Sequence, residues 1–134
     1  MKMSVSAFLC AAFMFAALSR AQPANSANWI GVWQGELDGN PSVVLTLADD
    51  TGQLGGTVVL NIIQKEDGQA HIVAKEPHVL LDPHVDGDAL AFQFRKLDGG
   101  LLDFTIKRTA ADKATIHCLN CGPDAPTVDL ARSN

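Results

Sequence analysis

The chain has 134 residues, with 10 Lys and Arg against 15 Asp and Glu and a formal charge of −5. That is enough for one domain with its own core, and the acidic balance argues against phosphate backbones and anionic membrane surfaces. The bases beyond the N-terminus (Lys65, Lys75, Arg95, Lys96, Lys107, Arg108, Lys113, Arg132) are scattered rather than striped, so no nucleic acid partner is expected. The N-terminus carries Lys2, an uncharged apolar run from Val5 to Leu18, and then Ser19-Arg20-Ala21. These are the parts of a signal peptide over residues 1–21, cut after Ala21. The run is shorter than the roughly 20 residues a helix needs to cross a bilayer, and Cys10 lies inside it, away from a lipoprotein cleavage site. A secreted or periplasmic protein with no membrane span after cleavage is expected. Cleavage removes Lys2 and Arg20 but no acid, so the charge falls to −7, and it takes three of the six Phe, one of the three Cys and all three Met.

Residues 22–28 are small and polar and read as a flexible leader, followed by a single β-domain over 29–134. Short β-prone runs then alternate with turn chemistry. They are Trp29 to Leu37, Ser42 to Ala48, Leu54 to Gln64, Ala70 to Lys75, His78 to Leu81, Ala89 to Lys96, Leu101 to Thr109, Lys113 to Leu119 and Thr127 to Ala131. Asp38, Asp67, Asp86 and Asp98 each precede Gly, the strongest short hairpin signal. Large apolar groups recur with period two at Leu90, Phe92, Phe94 and at Leu102, Phe104, Ile106. The fold expected is all-β, an antiparallel eight- or nine-stranded barrel, with a β-sandwich of two stacked sheets as runner-up. The alternate face carries Gln93, Arg95, Asp103 and Lys107, unlike the lipid-facing side of an outer-membrane barrel. Gly55-Gly56 reads as a bulge or a close approach of two strands. Glu76-Pro77-His78 and Asp82-Pro83-His84 read as a polar, proline-stiffened connection at the rim. Gathering of His78, His84 and Asp82 around a transition metal is the alternative there, but no spacing matches a ligand motif and no metal site is expected.

The first run contains Gly31-Val32-Trp33, and with the strand count this resembles the calycin barrels, the lipocalin and avidin families, which open with Gly-x-Trp. The resemblance covers residues 29–132 and points to a small secreted bacterial protein of that type. It implies that Gly31 and Trp33 are structural, with Trp33 closing the base of the barrel against a basic residue of the last strand. Arg132 is the matching residue, placed to form a cation–π pair. It also implies a small apolar ligand in the mouth or a protein partner on the loops.

Cys118-Leu119-Asn120-Cys121 is the most specific local feature. In an exported protein it reads as a local disulfide. Gly122-Pro123-Asp124-Ala125-Pro126 follows and forbids the helix that a thioredoxin-type pair requires. A metal site on Cys118, Cys121 and His117 lacks a second ligand pair. After cleavage the only serines are Ser26, Ser42 and Ser133, with neither Gly-x-Ser-x-Gly nor a phosphate-cradling loop. A non-enzymatic binding module without a cofactor is therefore expected. Trp33, Leu45, Val58, Phe92, Phe94, Phe104 and Ile106 are expected to line the interior or mouth, with Trp33, Phe92, Phe94 and Phe104 as ligand contacts. The alternative is an interaction or inhibitor module that meets another exported protein through rim loops at His78 to Asp88 and the Cys118 to Cys121 corner.

Overall fold

The computed structural model describes residues 26–133, so the expected signal peptide and residues 22–25 of the leader lie outside the described residues. Nine strands follow one another: β1 (Gly31–Leu37), β2 (Asn40–Asp50), β3 (Gln53–Glu66), β4 (Gln69–Val79), β5 (Leu81–Asp86), β6 (Ala89–Arg95), β7 (Leu101–Ala110), β8 (Lys113–Cys118) and β9 (Val128–Ser133). They form one antiparallel sheet, β4-β3-β2-β1-β9-β8-β7-β6-β5, curled into a half-barrel. A single continuous sheet takes the place of the two stacks of the runner-up reading.

The turn chemistry explains the tight hairpins. At Asp38-Gly39, Thr51-Gly52 and Asp67-Gly68 both central residues have positive φ (53° and 79°, 53° and 85°, 52° and 77°), the geometry whose twist matches that of the strands. The two edge strands are neighbours in sequence, separated only by Leu80. That side chain is buried, and its N–H donates to the Gly56 carbonyl at 3.0 Å. The two edges of the sheet therefore meet at one corner.

Three expectations change. Residues 26–28 of the expected leader belong to a 3-10 turn, Ser26–Trp29, and Trp29 lies inside the core instead of opening the first strand. Its bulk accounts for this: the indole is buried against Trp33, with ring centroids 5.6 Å apart, and the Trp33 Nε1–H donates to the Trp29 carbonyl at 2.9 Å. Next, Ala70 to Lys75 and His78 to Leu81 are not separate runs. Ala70 to Val79 is continuous within β4, while Leu81 opens β5; β4 tolerates Pro77 because an edge strand has no neighbour needing the missing N–H. A bulge opposite Ile62 and Ile63 leaves Val73 unpaired. Lastly, His78–Val79 and Leu81–Asp86 are strand rather than rim loop; Asp82 and His84 border a depression with Leu119 of the cystine corner, but the Asp86-Gly87-Asp88 turn does not share that end. Gly87 and Asp88 instead border a depression with Trp29 and Arg108.

Packing is tightest at the end closed by the tryptophans. Trp33, Leu45, Leu90 and Ile106 are 0% exposed, whereas Val43, Phe104, Cys118 and Val128, toward the opposite end, keep 6–9%. Two glycines allow close approach. A Cβ on Gly35 would stand 2.7 Å from Val128 Cγ1 and 2.9 Å from the Asp129 carbonyl oxygen, and one on Gly56 would overlap the Thr46 carbonyl. Gly56 is thus a place where strands pack closely, the second of the readings given to Gly55-Gly56.

Candidate functional site

Trp33 and Arg132 build the closed end. They are cross-strand partners on β1 and β9, and the guanidinium carbon lies 4.5 Å from the Trp33 ring centroid. Arg132 also donates to the Asn28 carbonyl and so fastens the 3-10 turn over the base. Arg108 covers Trp29 from 5.8 Å. Every group here is engaged in packing, and Trp33 is fully buried.

The open end is different. Val43, Phe104, Ile116 and Val128 wall a cleft of about 410 Å³, roofed by Ala125, Pro126 and the Cys118–Cys121 corner. The two cysteine sulfurs are at disulfide distance with Cα atoms 5.6 Å apart. Asn120 pins this corner, accepting from the Asp103 N–H at 2.8 Å and donating to the Leu101 carbonyl at 3.1 Å. A second cleft of about 330 Å³ adjoins the first, between Leu60, Phe94 and Leu102, with Glu76, His78 and Lys96 contributing polar groups. No residue lines both clefts, but their walls are neighbours: Leu60 of the second is the cross-strand partner of Val43 of the first, and the Phe94 ring of the second stacks on the Phe104 ring of the first with centroids 5.0 Å apart.

Of the four expected ligand contacts, Phe94 and Phe104 reach the clefts. Phe92 stacks on Phe104 at 5.3 Å and borders a smaller depression of about 180 Å³ with it and Leu119, and Trp33 lies at the other end. The sequence reasoning did not assign Val43, Ile116 or Val128 to a ligand site, and it placed Glu76 and His78 only in a polar rim connection, with His78 in the metal alternative and the partner surface. The first three carried a usable signal, since Val43 is two residues from Leu45, Ile116 two from Cys118 and Val128 two from Leu130, all on the inward face. Glu76 and His78 were hidden by the reading of Pro77 as a loop residue.

His78 and His84 find their nearest polar groups on their own strands. His78 Nε2 is 3.7 Å from Glu76, and His84 Nδ1 is 2.8 Å from the Asp82 carbonyl oxygen. Among the described residues no three His, Cys, Asp or Glu side chains gather as a metal site would require. At the rim, the Asp98 carboxyl is held below its usual range by the Gly100 N–H at 2.9 Å, helped by the hydrogen bond and charge of Lys96. Among the described residues no helix is long and apolar enough to cross a membrane. Compared with family profiles, curated proteins and solved structures, the chain matches none, so its own geometry has to carry the functional reading.

Proposed function

We propose that this chain is an exported, non-enzymatic binding module of calycin type that takes a small, largely apolar ligand into its open end. The gradient of exposure along the core supports this most directly. Side chains at the Trp33 end are sealed, while Val43, Phe104, Ile116 and Val128 retain exposure around one apolar cleft of about 410 Å³, a volume within the range of small-molecule sites. Hydrophobic walls with a few polar groups at one side match what such sites use.

The neutral fluorophore N-phenyl-1-naphthylamine is the test probe. The purified chain is expected to bind it with enhanced emission. Ala125→Trp, which grows a ring into the cleft from its half-buried roof, is expected to weaken binding at least tenfold. Leu119→Trp, outside that cleft, leaves it unchanged. Absence of binding, or equal binding by the Ala125 variant, sinks the proposal.

One observation favours the interaction or inhibitor reading: Leu97 is 94% exposed and Leu119 63% exposed near the same end. Under that reading, Leu97→Ser with Leu119→Ser abolishes capture of another exported protein and leaves the fluorophore bound. Capture that survives both changes rejects it.

A further inference from the structure

His78 is an unusual wall for an apolar cleft. Its side chain is 9% exposed and stacks on Phe94 with centroids 4.2 Å apart and planes 22° from parallel. Nε2 is buried and has no hydrogen-bond partner among the described residues. A buried polar nitrogen without a partner costs stability that an apolar ring of the same shape would not, so a partner supplied from outside the chain would repay it. Glu76 Oε2 stands 3.7 Å away, beyond hydrogen-bond range, on a side chain 42% exposed and therefore free to move.

We infer that the ligand is a hydroxyl-bearing amphiphile, its O–H held between Glu76 and His78 and its chain lying along the Leu60, Phe94, Val43 and Phe104 walls. The inference rests on the reading of the open end as an apolar-ligand site. A hydroxyl oxygen making two hydrogen bonds of about 2.8 Å at a tetrahedral angle spans atoms about 4.6 Å apart. Starting from 3.7 Å, Glu76 has to withdraw by less than about an ångström. The head group then accepts from the His78 Nε2–H and donates to the Glu76 carboxylate, a pair of roles that a hydroxyl fills and that neither charged head group can. A carboxylate would face the Glu76 and Asp98 carboxylates. An ammonium would be drawn to Glu76 but could not accept from the imidazole N–H, which would stay without a partner.

Competition against bound N-phenyl-1-naphthylamine, using 1-octanol, octanoate and octylamine, tests this. Octanol is expected to displace the fluorophore at about tenfold lower concentration than either charged homologue, the weight of about one hydrogen bond. His78→Phe keeps the stack on Phe94 and is expected to erase that advantage, read as the ratio of octanol to octanoate and octylamine displacement within the variant, so that any change in fluorophore affinity cancels. His78→Gln, which still offers a donor, restores most of it. Should the Phe variant fail to fold, the imidazole 15N signals of His78 in the unmodified chain give the same answer, shifting on addition of octanol and not of octanoate. Equal displacement by the three compounds, or an octanol advantage retained in a folded His78→Phe, overturns this inference and leaves the apolar site standing. No binding of the fluorophore at all overturns both.

Discussion

Gly35 has no side chain because β9 leaves no space for one: Val128, Leu130 and the Asp129 carbonyl all lie within 3 Å of where a Cβ would sit. Gly35→Ala is therefore expected to cost about 1–3 kcal/mol, the range for forcing extra volume into a packed site, read as a lower urea midpoint. An unchanged midpoint would mean that β1 and β9 do not approach so closely. The neighbouring pair of Trp33 and Arg132 was legible beforehand, because the Gly31-x-Trp33 resemblance implies a basic partner on the last strand and Arg132 shares a face with Val128 and Leu130. Gly35 was not legible in that way. A glycine carries no mark of which face it serves, and its restriction comes wholly from a strand nearly a hundred residues away.

Among the elements, the hairpins were the easiest to read, since Asp-Gly supplies the two positive φ values at Asp38-Gly39 and Asp67-Gly68. The β4 strand was the hardest. Proline demotes a strand in sequence, and only the position of β4 at a sheet edge makes Pro77 acceptable there. The bulge at Val73 left no sequence signal either, because it depends on how the β3 and β4 registers meet. The β6–β7 connection gives an acid-sensitive test. Gly100 N–H and then Lys96 hold the Asp98 carboxyl below its ordinary value of 3.8. A folded value below the unfolded one means that the contribution is complete above the ordinary value and is lost as pH falls through the lowered folded value. Between those limits the Lys96 to Gly100 turn is expected to loosen, with the Gly100 amide proton shifting upfield as its hydrogen bond to Asp98 is lost. Asp98→Asn removes the titration; a Gly100 signal that ignores pH from 5 down to about 2 contradicts the assignment.

At the scale of the whole molecule, the all-β class and the antiparallel curled sheet followed from period-two alternation and evenly spaced turns. The clefts did not, because openness at one end depends on which core positions fail to seal. Export belongs to this scale too. Protein recovered from the envelope fraction of its native host is expected to have a mass lacking residues 1–21 and two further hydrogens, the latter regained on reduction. A full-length mass would remove the exported setting on which the functional reading depends. The β1–β9 pairing sets a kinetic problem for this sheet. Every other ladder joins consecutive strands across short connections, but Val32 pairs with Ser133 and Gly35 with Leu130, and joining them closes a loop of about a hundred residues. By chain statistics that closure costs about 4 kcal/mol of entropy, where a tight hairpin costs little. The two meanders, β1 to β4 and β5 to β9, can thus form first, and the seam between them zips last. Gly35→Ala lies on that seam, so its penalty is expected to speed unfolding and leave the folding rate nearly unchanged; a slowed folding limb in its chevron would place the seam in the nucleus instead.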